Sequence, residues 1–194
     1  MKFFCPFVLS FTLAALGNAQ VKPVASAEMQ KQLDEVARVG SVMVDGDVCR
    51  RIVTERAKDF MFATDPRDPW ISGDNYDVNG ESFNAVKKTL IRLSHLAPFP
   101  ADVNLWMPIK GHAGKIQIVV RNKNEMSQFW TWGALYQDMP PEMASVLKTG
   151  QRLTVPSKPG WVSVLAPVYD SLGDIVGLIE AVGRVESDSH ENVK

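Results

Sequence analysis

The stretch "GWVSVLAPVYDSLGDIVGLIEAVGRV", Gly160 to Val185, constrains this chain more than any other. Two long apolar arms flank a short polar centre, Asp170 to Asp174, that holds one glycine, Gly173. Arms of this length around a polar turn read as an antiparallel hairpin. A sheet closed by such a hairpin has a face covered by helices and loops, which makes the fold layered.

The preceding residues supply those layers. Ala27 to Arg38 reads as a helix with Met29, Leu33, Val36 and Ala37 near one side, and Gly40 is expected to interrupt it. Asp47 is expected to cap a second helix running to about Met61. Phe83, Val86, Leu90, Leu93 and Ala97 recur at helical spacing, with Lys87, Lys88 and Arg92 on the solvated side. The period then changes. "VNLWMPI" and "IQIVVRN" are strand-like around the turn "KGHAGK". In "EMSQFWTWGALYQDMPPEMASVLKTG", Pro140 and Pro141 suit a helix start and Gly150 a helix end. "RLTV" reads as a short strand before the hairpin.

The N-terminus has the layout of a secretory signal peptide. Lys2 precedes an apolar run from Phe3 to Leu16, and Gly17, Asn18 and Ala19 offer small residues before a cleavage point at Gln20. The segment is short for a membrane span, and no later run is long enough. The expected location is periplasmic or secreted. Cleavage removes Cys5 and leaves Cys49, which cannot form an internal disulfide. Cys49 reads as a small buried hydrophobe, or else as an intermolecular cross-link. A formal net charge of −1 gives no electrostatic reason to expect nucleic acid as a partner.

The order strand, strand, helices, strand, strand, strand is that of a PAS-like sheet. With a helical part before it, the chain resembles the single Cache family of extracytoplasmic sensor domains. The likeness is carried by Ala166-Pro167-Val168, the polar turn Asp170 to Asp174, and Ile175-Val176-Gly177. "DMPPEMASVLKTGQRLTV" resembles the segment before them. The resemblance implies an α+β fold, a five-stranded antiparallel sheet with N-terminal helices and a helical crossover. Its parts are a signal peptide at 1–19, a helical part at 20–102, the PAS-like sheet with its crossover at 103–186, and a polar tail at 187–194, expected to be disordered. It implies a small-molecule-binding domain. Nothing follows the last strand but that tail, so the expected protein has no output module and serves a membrane receptor or a homodimer.

The expected pocket lies in the crossover. Phe129, Trp130, Trp132 and Tyr136 fall within eight residues, and each Trp or Tyr pairs a large apolar surface with one polar group. Arg121 is available for a carboxylate. Trp106 and Ser163 on neighbouring strands complete the candidate wall. Amino-acid-binding Cache domains share a motif of Tyr, Arg, Trp, Tyr and Asp. "FWTWG" lacks its Arg-x-Trp-Tyr core, while Asp170 falls near its Asp and reads equally as a turn residue. An amino acid and a small organic acid are both open as ligands.

Other chemistry finds little footing. Asn75, Asp77, Asn79 and Gly80 match the start of a calcium-binding loop, but the position for the bidentate Glu holds Val86. Turn chemistry leading into a helix explains them instead. His95, His112 and His190 form no metal-ligand pattern. No nucleophile elbow, phosphate loop or dinucleotide fingerprint occurs, and Glu55, Asp59 and Glu81 read as solvated carboxylates. No enzymatic activity and no cofactor are expected. The competing class is an interaction protein that pairs its N-terminal helices with those of a second copy, with a hydrolytic enzyme as the further alternative.

Overall fold

The computed structural model describes residues 27–62, 78–123, 126–131, 134–156, 158 and 160–184. The expected signal peptide, the polar tail, His190, Trp132, Asn75 and Asp77 lie outside them.

The helical layer comes first. α1 (Ala27–Met43) buries Met29, Leu33, Val36, Ala37 and Gly40. It therefore runs through Gly40 instead of ending there. Gly40 faces Ile179 and Leu93, and any side chain would collide with the Ile179 methyl group. The glycine is a close-approach point, not a breaker. The second predicted helix is split into α2 (Gly46–Arg50) and α3 (Glu55–Phe62). Asp45, not Asp47, caps α2, accepting from the backbone N–H groups of Asp47 and Val48. Thr54 Oγ accepts from Ala57 N at the start of α3. An antiparallel bridge pairs Val53, just before α3, with Val78. α4 (Gly80–Ser94) is capped by Asn79, whose side chain accepts from Ser82 N, and it buries Val86, Leu90 and Leu93. Asn79 thus serves the capping role that turn chemistry predicts.

The sheet has six strands, not five, all in antiparallel pairs and in the order β3-β2-β1-β6-β5-β4. They are β1 (Ala101–Pro108), β2 (Lys115–Val120), β3 (Gln137–Asp138), β4 (Leu153–Val155), β5 (Trp161–Tyr169) and β6 (Ile175–Arg184). The unforeseen strand is β3. Its two residues lie in the aromatic crossover and pair with Lys115 and Ile116 at the sheet edge. No apolar alternation announces so short an edge strand. α5 (Pro141–Thr149) has Pro141 in its first turn and ends at Gly150, which is left-handed at φ 69°.

The opening hairpin is the centre of the sheet. β6 pairs with β1 on one side and β5 on the other, which explains the two-sided apolar arms. One face carries Val103, Leu105, Val164, Ala166, Ile179 and Ala181 against α1, α2 and α4. The other carries Trp106, Leu165 and Leu178 against α5 and the crossover. Pro167 lies beyond the last β4 pair, Leu153 with Leu165, where β5 has a bare edge that tolerates a proline.

Candidate functional site

Two polar features are built into this apolar frame, one on each face of the sheet.

On the crossover face the centre is Glu180, fully buried at 0% exposure. Strand alternation places it beside Asn104 on β1 and Leu165 on β5. Its Oε1 accepts from Gln128 N at 2.9 Å and Ser163 Oγ at 2.7 Å. Its Oε2 accepts from Ser127 Oγ at 2.6 Å and Trp106 Nε1 at 3.1 Å, with Asn104 Nδ2 more distant at 3.4 Å. Nearby, Asp102 accepts from Met126 N, and Asn104 donates to Met126 O and accepts from Asn122 N. These buried groups stitch Asn122 and residues 126–128 to the sheet. Both carboxyl oxygens are fully engaged by the protein, which is how a buried acid is tolerated.

The crossover residues expected to form a pocket are therefore divided. Trp106 and Ser163 are both held by Glu180. The Arg121 guanidinium lies over the Trp130 ring at 4.0 Å from its centroid, a cation–π stack. Tyr136 stands with Phe62, 4.7 Å between ring centroids, and under Lys115. Asp170 is at the hairpin tip. Its Oδ1 accepts from Leu172 N and Asp174 N, and Gly173 closes the turn at φ 85°. Asp170 is thus a turn residue, with one addition. Its side chain is only 2% exposed, and Oδ2 pairs with Arg50 at 2.7 Å.

That ion pair leads to the other face. α2 grips the hairpin tip: Gly46 packs on the Tyr169 carbonyl, Ser171 N donates to Asp47, and Arg50 holds Asp170. The hydrogen bonds from Ser171 hold the Asp47 carboxyl below its ordinary range, with Arg50 and Arg51 adding to the effect. Beneath α2 and α3, at the ends of β1 and β2, lies a cavity of about 380 Å³. This is the small end of the range for ligand pockets, roughly 300–1,000 Å³.

The cavity walls include Cys49, Val53, Met107, Ile109 and Val176. Gln117 also lines it, 3% exposed, with an Oε1 that has no hydrogen-bond partner. At the edge are Arg50, Lys58, Lys110 and Glu55. Lys58 bonds Glu55 at 2.6 Å, which together with Lys110 holds the Glu55 carboxyl below its ordinary range. Burial pushes the Cys49 thiol up to about 12, with the Asp45 charge adding to the shift. A thiol held protonated is no nucleophile at neutral pH. Its burial also keeps Cys49 from cross-linking two copies while this layer is closed.

None of the six described residues expected at the pocket lines this cavity. The signal that could have found it is Gln117 itself. A lone polar residue inside "KIQIVV" needs either a partner or a ligand. Comparison with protein-family models and with curated proteins finds no match for the chain.

Proposed function

We propose that the chain is an exported sensor domain of the PAS/Cache type, binding a small molecule between its helical layer and its sheet. Set β3 aside and the sheet order is β2-β1-β6-β5-β4. Two strands, a helical crossover and three further strands agree with that type. The N-terminal pattern from Lys2 to Ala19 supports export to a periplasmic or extracellular space. Among the described residues no helix is long and apolar enough to cross a membrane. A membrane receptor is the natural recipient of the signal.

The observation that carries the binding reading is Gln117, which lines the cavity and whose buried amide oxygen has no hydrogen-bond partner. An unmade hydrogen bond of this kind costs about 1–3 kcal/mol. A donor on a ligand would recover it. The test is a thermal-shift screen of metabolites on wild type, Gln117→Leu and Trp130→Ala. A compound whose stabilisation is lost only in Gln117→Leu supports the cavity. One lost only in Trp130→Ala moves the site to the crossover. A screen in which nothing stabilises the protein counts against binding altogether.

The second reading is pairing with another copy through the N-terminal helices. Val42 and Met43, at the end of α1, are both exposed. Light scattering decides it, and a monomer at high concentration removes it.

A further inference from the structure

Resting on that reading of the cavity, we infer that its occupant is a small organic monoanion with an apolar body and a hydroxyl at its buried end. The walls set the body. Val53, Met107, Ile109 and Val176 present apolar surface, which a hydrocarbon or aromatic moiety covers favourably. Gln117 sets the inner end. It is the buried polar group of the lining, and a hydroxyl both donates and accepts, so it answers either orientation of the amide.

The rim sets the charge. Arg50, Lys58 and Lys110 border the cavity, and Glu55 is the carboxylate that borders it with them. Asp170 lies outside the lining but is paired to Arg50. Lys58 pairs with Glu55 and Arg50 with Asp170, which leaves Lys110 as the lining cation without an ion pair among the described residues. A single anionic group on the occupant matches it. The rim is also the outer end, because the Arg50 side chain is about half exposed. An anion entering there keeps part of its hydration while its apolar body is buried. A neutral ligand forgoes the attraction, and a cationic one meets repulsion.

The experiment uses three probes of nearly equal size and calorimetry on the full mature chain. 4-Hydroxyphenylacetate carries the anion, 4-hydroxyphenylacetamide is neutral, and tyramine is cationic. The acid is expected to bind about tenfold or more tighter than the amide, with tyramine weakest. Lys110→Gln, an exposed change that leaves the fold intact, should weaken the acid severalfold and leave the amide unchanged. Raising salt should narrow the same gap. Gln117→Leu should weaken acid and amide alike. An amide that binds as tightly as the acid overturns the anion while leaving the cavity as a binding site. An acid indifferent to Gln117→Leu overturns the cavity itself. Failure of all three probes to bind overturns the ligand class, and the metabolite screen then decides the binding reading separately.

Discussion

Two buried side chains show how a polar group survives in this core, and each makes a prediction. Glu180 survives through its donors. Each of its oxygens accepts from a nitrogen that cannot turn away, Gln128 N at Oε1 and Trp106 Nε1 at Oε2. In Glu180→Gln, either placement of the amide sets its NH₂ group against one of those N–H groups. The change is nearly isosteric, yet the expected loss is about 2 kcal/mol of unfolding free energy in urea. Glu180→Ala leaves every donor unanswered and should cost more, about 3 kcal/mol or above. If Glu180→Gln is neutral, the carboxyl is not the organising centre described. Cys49 survives by keeping its proton. Its ordinary value is 9.0 and burial raises it to about 12. Below pH 9 the folded and unfolded chains both carry the proton, so Cys49 adds no pH dependence. Above pH 9 the unfolded chain ionises first, and stability falls by up to about 1.4 kcal/mol per pH unit until the folded thiol titrates. Urea unfolding between pH 9 and 11 should therefore show a steeper decline in wild type than in Cys49→Ala. Equal slopes would mean the thiol is not held protonated in the native state.

At the scale of elements, the hairpin tip and α2 behave as one unit. Gly46 has no room for a side chain, since a methyl group there would meet the Tyr169 carbonyl and Asp170 N, both backbone. Helix propensity favours Ala over Gly by about 1 kcal/mol, but backbone cannot yield as a side-chain end can. Gly46→Ala is expected to destabilise by about 1–3 kcal/mol, read as a lower denaturation midpoint. A stabilised variant would show that α2 is not seated on the tip. The strands other than β3, together with α4 and α5, were legible because their signals are local: alternation and continuous apolar runs, 3.6-residue spacing, Pro at a start and Gly at an end. The errors came where tertiary contact decides. Gly40 reads as a breaker until Ile179 is seen beside it. The break after Arg50 is fixed by contacts elsewhere, with Val53 pairing to Val78 and Ile52 O accepting from Asn79 N. Asp170 was legible as a turn former, but not its ion pair to a helix 120 residues away in sequence.

For the whole molecule, the sheet separates two jobs that the sequence places together. Aromatic density in the sequence points to the crossover, because Trp and Tyr near an Arg suit both a ligand wall and a core seal. Which of these they form depends on Glu180, distant in sequence, whose donors come from two strands and the crossover. The cavity arises on the opposite face from residues scattered over 49–58, 107–110, 117 and 176, a set with no contiguous motif. This division gives a prediction at the same scale. An occupant would touch α2 and α3 on one side and the ends of β1 and β2 on the other, and α2 is fastened to the hairpin tip through Asp47 and Arg50. Locally opening segments are stabilised by whatever bridges them. With saturating 4-hydroxyphenylacetate, amide hydrogen exchange should slow in 46–58 and in 169–175, and stay unchanged in 126–131, already pinned to Glu180. Protection confined to 126–136 would return the site to the aromatic crossover. Protection in 46–58 without 169–175 would keep the cavity but uncouple it from the hairpin. The tip is the place to look for output, since Leu172 there is among the most exposed apolar side chains of the described residues and sits two residues from the Asp170 carboxyl that an anion at Arg50 would challenge.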